Sequence, residues 1–335
     1  MKLALIGHGN MPIPPKGWGA VEGIIWNYKT YLERAGHTVD IFNSRQIHLV
    51  IHEINAGQYE FAHCHNELFV LDCIAHLRVP LAVTSHAPIS RLASGDYEYE
   101  GAQRFLLEDT LRAPANIVLS ERTKAIYERH GYRGFIRVLR NGVETEKFKT
   151  RENGNGKAVC IGRISLRKRQ GWLSEVARDR VYIDFVGPCH RSVESFVSEH
   201  QHANYLGSWD RESLYKHLCD YSCLVLLSSA EGAAPLVVLE ALAAGLSIVI
   251  SEACAPNLTH EEFITVIPDE EQRPEMIAKA IQTAVDKNAG LRSAIRSYAR
   301  KRFDFAAIVR EYVGIVDDVR HSQDRCANTG VGAQG

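Results

Sequence analysis

Residues 224–251 read LVLLSSAEGAAPLVVLEALAAGLSIVIS. The apolar run Leu224 to Leu227 predicts a fully buried strand, and Ser228 to Ala234 a loop of small residues holding one acid, Glu231. Pro235 stands where a helix begins, Leu236 to Ala244 has helix length and composition, Gly245 ends it, and Ser247 to Ile250 predicts a second strand. Every residue of that helix except Glu240 is apolar, so it has no face for solvent and belongs in the interior. A bare carboxylate there costs several kcal/mol, on the order of other unpaired buried polar groups, so something must meet it. An ionised carboxylate accepts two donors at once, which suits a ligand with adjacent hydroxyls; an Arg or Lys from a neighbouring element, or water at the helix edge, is the alternative. The open start of the same helix is a ready site for an anion such as a diphosphate. Hydroxyls and phosphate together suggest a nucleotide.

At 335 residues the chain exceeds one usual core, and two domains of about 150 residues are expected. A content of 45% hydrophobic and 24% charged residues is that of a globular protein. The formal net charge of -1 argues against a protein built for nucleic acid. No stretch approaches the roughly 18 apolar residues of a membrane span, and the short run at Met1 to Gly7 is no signal peptide, so a cytoplasmic location is expected. The eight cysteines form no CxxC pair and read as reduced core thiols.

The same alternation fills the rest of the chain. Lys2 to Ile6 predicts a strand, followed by a glycine- and proline-rich loop and a helix from Val21 to Ala35 whose apolar face is Val21, Ile24, Ile25, Tyr28, Tyr31 and Leu32. Further strands are expected at Thr38–Phe42, Glu60–Cys64, Leu81–Ser85, Asn116–Leu119 and Phe135–Leu139, then at Ala158–Ile161 and Tyr182–Val186. The pattern implies parallel sheets with helices on both faces, whose ligands sit beyond the carboxyl ends of the strands. Those ends carry His63 and His65 in HCHN, His86 in TSHAP, and the basic run GRISLRKRQ with Arg163, Arg167, Lys168 and Arg169. His63 and His65 share one strand face with no third ligand in view, so they are not read as a metal site. His86 is placed for hydrogen bonding to substrate or for proton handling, or else is structural. The basic run, at a strand end, suits an anion. The polar TRENGNGK (residues 150–157) reads as an interdomain linker, helices are expected at Arg273–Val285 and Phe305–Val319, and the tail from Ser322 reads as loosely packed.

These motifs resemble glycosyltransferase family 4, retaining enzymes of the GT-B architecture. PPKGWGAVE (Pro14 to Glu22) resembles the family's PPxxGGxE loop, with Gly19 and Glu22 matching and Ala20 in place of the second glycine. RNGVETEKF (Arg140 to Phe148), GRISLRK (Gly162 to Lys168) and YLGSWDRESLYKHL (Tyr205 to Leu218) are similar to its other segments. EGAAPLVVLEALAAG is the most specific match, to EGFGLVVLEAMACG.

The resemblance implies two Rossmann-like doubly wound domains facing a cleft: residues 1–150 on the acceptor side, 151–302 for the nucleotide sugar, a helix at 303–320 crossing back to the first domain, and a flexible tail at 321–335. It implies that Glu240 holds ribose hydroxyls, Glu231 approaches the donor sugar, and Arg163 and Lys168 neutralise the diphosphate. Gly19, Gly232, Ala234 and Leu236 would border the donor, His86 would contact the transferred sugar, and Glu22, His65 and Asn66 would lie on the acceptor side. The expected partners are a nucleotide-sugar donor, UDP favoured over GDP, and a saccharide or lipid-linked saccharide acceptor. No metal or other cofactor is expected, since the sequence has no DxD motif, and peripheral contact with the inner membrane surface is allowed. The sequence departs from the family in two ways. Eight residues rather than seven separate Glu231 from Glu240, and SEACAPNL (Ser251 to Leu258) lacks the usual glycine pair and acid. A sugar-nucleotide epimerase of the same fold and a non-catalytic sugar-nucleotide-binding protein are the alternatives. An NAD oxidoreductase is disfavoured, because neither half has GxGxxG.

Overall fold

A computed structural model describes residues 1–87, 107–178, 180–189, 196, 199–200 and 203–329. Pro88, part of the TSHAP segment, lies outside them. The chain forms two compact units, Met1–Asn141 with the chain from Phe305 onward, and Gly142–Asp304.

In the first unit, strands β1 (Lys2–Ile6), β2 (Thr38–Phe42), β3 (Phe61–Cys64), β4 (Leu81–Val83), β5 (Ala115–Val118) and β6 (Phe135–Val138) form one parallel sheet in the order β2-β1-β3-β4-β5-β6. Helices α1 (Ala20–Arg34), α2 (Ile47–Ala56), α3 (Val70–His76) and α4 (Glu121–Arg129) fall between strands in sequence, as parallel pairing demands. Helix α1 buries Ile24, Ile25, Tyr28, Tyr31 and Leu32, the face its spacing predicts apart from Val21.

In the second unit, β7 (Ala158–Ile161), β8 (Ile183–Val186), β9 (Asn204–Tyr205), β10 (Cys223–Leu226), β11 (Ser247–Ser251) and β12 (Ile264–Ile267) form a second parallel sheet, order β12-β11-β10-β7-β8-β9. Its helices are α5 (Gln170–Ala177), α6 (Arg211–His217), α7 (Leu236–Ala244) and α8 (Pro274–Phe303). Strands β10, β11 and β7 are buried almost throughout, with α7 packed on them, which is why residues 224–251 are apolar without alternation. Gly245, at φ 88°, gives α7 its left-handed stop, a conformation that penalises any side chain.

Helix α9 (Phe305–Thr329) belongs to the first unit. Its Phe305 and Tyr312 lie against Tyr28, with ring centroids 5.4 and 4.7 Å apart. Three expected boundaries are corrected. Residues 142–150 belong to the second unit: the Val143 N–H donates to the Phe303 carbonyl, the Thr145 hydroxyl to Asp304, and the Lys149 N–H to the Tyr215 carbonyl. Helix α8 runs on to Phe303 rather than stopping at Val285. Residues 321–329, expected as part of a flexible tail, continue α9, and Gln323 is tied to β4 by bonds to the Leu81 N–H and carbonyl.

Candidate active site

In the second unit the loops after β7 and β10 meet, because these strands are neighbours in the sheet. Gly162, at φ 151°, turns the chain at the end of β7. The backbone of Gly187, after β8, comes so close that a Cβ there would stand 2.1 Å from the Gly162 carbonyl oxygen. The next residues are wound tightly. Gln170 donates to the Arg163 carbonyl (2.9 Å) and accepts from the Ser165 N–H (3.2 Å), while Arg169 takes a left-handed conformation at φ 55°. Arg163 stays exposed, whereas Lys168 is turned inward and buried.

Lys168 Nζ reaches Glu231 Oε1 at 2.5 Å, and Arg167 Nη1 reaches the same oxygen at 2.7 Å. Arg167 also donates to the Ala230 carbonyl (2.7 Å), and its own carbonyl accepts from the Ser229 N–H (2.9 Å). Burial opposes the charge of Glu231, but Lys168 and Arg167 outweigh it and hold the carboxyl below its ordinary value. The loop is therefore a charged clamp in which two cations share one acid.

Nine residues further on, Glu240 is 5% exposed on α7. Its Oε1 accepts from Arg211 Nη1, and among the described residues its other oxygen takes no bond. The Arg211 guanidinium also donates to the Tyr215 hydroxyl (2.9 Å), one turn along α6, which donates to Glu144 Oε2 (2.7 Å); Lys147 completes the row 2.9 Å from Glu144 Oε1. Burial works against the charge of Arg211, yet the fields of Glu240 and Tyr215 raise its pKa above the ordinary value. The Ala234 amide is spent on the Pro256 carbonyl at 3.1 Å. Pro235 has no N–H, so the first donors free of the helix ladder are those of Leu236 and Val237.

In the first unit, imidazoles gather at the carboxyl end of β3 and β4. His65 Nδ1 lies 3.1 Å from His86 Nε2, the rings stacked at 5.3 Å, and His8 Nε2 donates to the His65 carbonyl. Glu67 is buried beneath them, with Oε1 accepting from the Ser85 hydroxyl (2.6 Å), the His86 N–H (2.8 Å) and the Ala87 N–H (3.1 Å). It thereby fixes the backbone that carries His86, whose pKa is pushed down to about 4, by burial first and then by His8, against the opposing field of Glu67.

Residues 155–287 match the family model described as Glycosyl transferases group 1, and residues 40–147 the model described as Glycosyltransferase Family 4. The chain belongs to the family 4 glycosyltransferases. The solved structure of sucrose-phosphate synthase from Thermosynechococcus elongatus is similar at 17% identity and a TM-score of 0.77, covering 96% of this chain and 99% of the other. HepE of Anabaena, solved with UDP-glucose, is similar at 18% identity and a TM-score of 0.75, covering 95% and 100%. AviGT4, a glycosyltransferase of avilamycin A biosynthesis, is similar at 14% identity and a TM-score of 0.70, covering 96% and 98%. These likenesses show the GT-B fold. No curated protein sequence matches.

Several expected residues in this glycosyltransferase have structural duties that the sequence did not disclose. Glu231, Lys168 and Glu240 are placed as expected at strand ends and on α7, but Glu240 already has an arginine partner. Ala234 borders the loop without a free amide. Gly19, at φ 151°, packs on its own loop, where a Cβ would come within 2.9 Å of Pro15 and 3.1 Å of the buried Glu22 carboxylate. The Asn66 side chain caps the turn beginning at Glu67 by accepting from the Leu68 N–H at 3.2 Å. His65, expected on the acceptor side, is 1% exposed, and its Nδ1 lies 3.1 Å from His86 Nε2. Arg211, Tyr215, Glu144 and Glu67 were missed. Arg211 and Tyr215 were legible in principle as an i,i+4 pair on a helix opened by Asp210, whose side chain accepts from the Ser213 N–H. Glu67 carried no signal, because two of its three donors are backbone amides and the third is the hydroxyl of Ser85, eighteen residues away.

Proposed function

We propose that this enzyme moves a sugar from a UDP-sugar to a hydroxyl of a saccharide or lipid-linked saccharide, in the cytoplasm, with retention at the anomeric carbon and without a metal. The observation that carries the reading is the clamp of Lys168, Arg167 and Glu231, in which Glu231 stands nine residues before the buried Glu240, one of whose oxygens takes no bond among the described residues. A diphosphate has the charge to draw Lys168 and Arg167 from Glu231, and adjacent ribose hydroxyls have the donors for Glu240. The HepE complex with UDP-glucose supports uridine as the base.

In the proposed reaction the bond from the anomeric carbon to the diphosphate oxygen breaks, and its electron pair leaves with the diphosphate. The acceptor oxygen bonds to the same face of that carbon, and its proton passes to the departing phosphate oxygen. Lys168, Arg167 and Arg163 stabilise the charge gathering on the leaving group, the kind of term that dominates many transfer sites. Glu231, once released, accepts from a hydroxyl of the donor sugar.

The test is a transfer assay with UDP-sugars in EDTA, with the anomeric configuration of the product read by NMR. Retention is expected, and Lys168→Ala should lower kcat by about 100-fold or more. An inverted product, or activity only with an added divalent ion, contradicts the proposal.

A further inference from the structure

Helices α2 and α3 of the first unit carry a donor set unrelated to the residues assigned above. His48 on α2, and Asp72 and His76 on α3, each offer one ligand atom, and the three atoms lie within 4.8 Å of one another. His48 Nε2 is 4.0 Å from Asp72 Oδ1, and the His48 and His76 rings meet edge-on, with centroids 6.1 Å apart at 63°. Asp72 and His76 are one turn apart, so α3 presents both on one face.

The helices are held together without help from the side chains of these three residues. The Asn55 amide, on α2, donates to the His76 carbonyl at 2.9 Å, and its oxygen accepts from the Arg78 N–H at 2.9 Å. Beneath the surface Val50, Ile51 and Ile54 of α2 share a core with Val70 and Cys73 of α3. An ion would therefore meet ligands on a frame that is already rigid.

The geometry points to a surface zinc site formed by His48, Asp72 and His76. Two imidazoles and one carboxylate are the ligand types of a borderline divalent ion rather than of magnesium or calcium, and three protein ligands leave room for water. Around tetrahedral zinc such atoms stand about 3.3 Å apart. The His48 side chain, 76% accessible, has room to turn towards that spacing. The ion would cross-link α2 to α3 and take no part in transfer.

The test is titration of the EDTA-stripped full chain with Zn2+ against a chromophoric chelator. One ion per chain at micromolar affinity is expected, with His48→Ala and His76→Ala each weakening it by at least about tenfold. His130→Ala, at an exposed histidine just past the end of α4, should leave it unchanged. Equal affinity in all three variants, or no binding by the parent below about 100 µM, overturns the site, because an ion held elsewhere would not discriminate these residues. Zn2+ should also raise the melting temperature of the parent and not of His76→Ala; an equal rise in both contradicts the proposal.

Discussion

Glu231 neutralises two cations with one oxygen, and this arrangement makes a prediction whose sign is not obvious. Replacing it by Gln keeps the size and one acceptor but releases Lys168 and Arg167 from their counter-charge. Binding of UDP alone should therefore tighten, by about tenfold if one close charge interaction of 1.4 kcal/mol is removed, while turnover with the UDP-sugar falls. Calorimetry with UDP and a kcat measurement on the same variant check both halves. A Glu231→Gln protein that binds UDP more weakly would mean the acid itself holds the nucleotide.

His63 makes a pH prediction. The Thr84 hydroxyl donates to the Ile117 carbonyl at 2.7 Å, so it must accept from His63 Nε2–H at 2.8 Å, leaving Nδ1 to accept from the Tyr312 hydroxyl at 3.1 Å. That network needs the neutral ring. Burial, then the charge of nearby His86, lowers its pKa from 6.5 to about 3. Between these values the unfolded chain binds a proton that the folded protein refuses. Stability present above pH 6.5 is therefore lost as pH falls towards 3, by up to about 1.4 kcal/mol per pH unit for this group. Urea unfolding at pH 7, 6 and 5 should show the decline, with a shallower slope in His63→Gln; an identical slope would show that other groups carry it.

At the scale of elements, the strands and α7 were legible because burial on both faces leaves continuous apolar runs bounded by Gly, Pro and small residues. Helix α8 was not legible beyond Val285 because its inner face turns polar. Asn288 donates to the Gly245 carbonyl at 3.0 Å, and Arg292, 2% exposed, donates to the carbonyls of Arg151, Tyr221 and Cys219. Those side chains satisfy backbone groups left over at the end of α7 and the turn before β10, a duty that no apolar period reveals. Arg292→Met should cost on the order of 3 kcal/mol, because it strands several buried acceptors at once, and Arg292→Lys should recover only part, lacking the planar fork. Chemical denaturation of the two variants checks this. A loss under 1 kcal/mol for Arg292→Met would mean water replaces the guanidinium. The length of α9 was hidden for the opposite reason: after Val319 its sequence is polar, and single contacts such as Gln323 with Leu81 replace an apolar stripe.

For the whole molecule, the repeated strand-helix alternation made two parallel-sheet units readable, and the lone acid in an apolar helix singled out α7 of the second. The join was misplaced because RNGVETEKF reads as the end of the first unit, whereas its Val143 N–H donates to the Phe303 carbonyl, its Thr145 hydroxyl donates to Asp304, and its Glu144 accepts from the Tyr215 hydroxyl. The burial of Glu240 was legible from its isolation in an apolar helix, and its partner Arg211 was not, since a charged residue at the start of a short helix looks like an ordinary solvated one. The central claim is that the second unit binds a nucleoside diphosphate through the clamp and Glu240. The most direct measurement is a thermal-shift series in EDTA, with UDP, GDP, ADP, dTDP and NAD at equal concentration, on the parent and on Glu240→Gln. A ligand at about 100 times its Kd adds about 2.7 kcal/mol, several degrees for a chain of this kind. The account predicts a rise with UDP that Glu240→Gln largely removes; a rise with NAD alone, or a UDP shift unchanged in the variant, would contradict it.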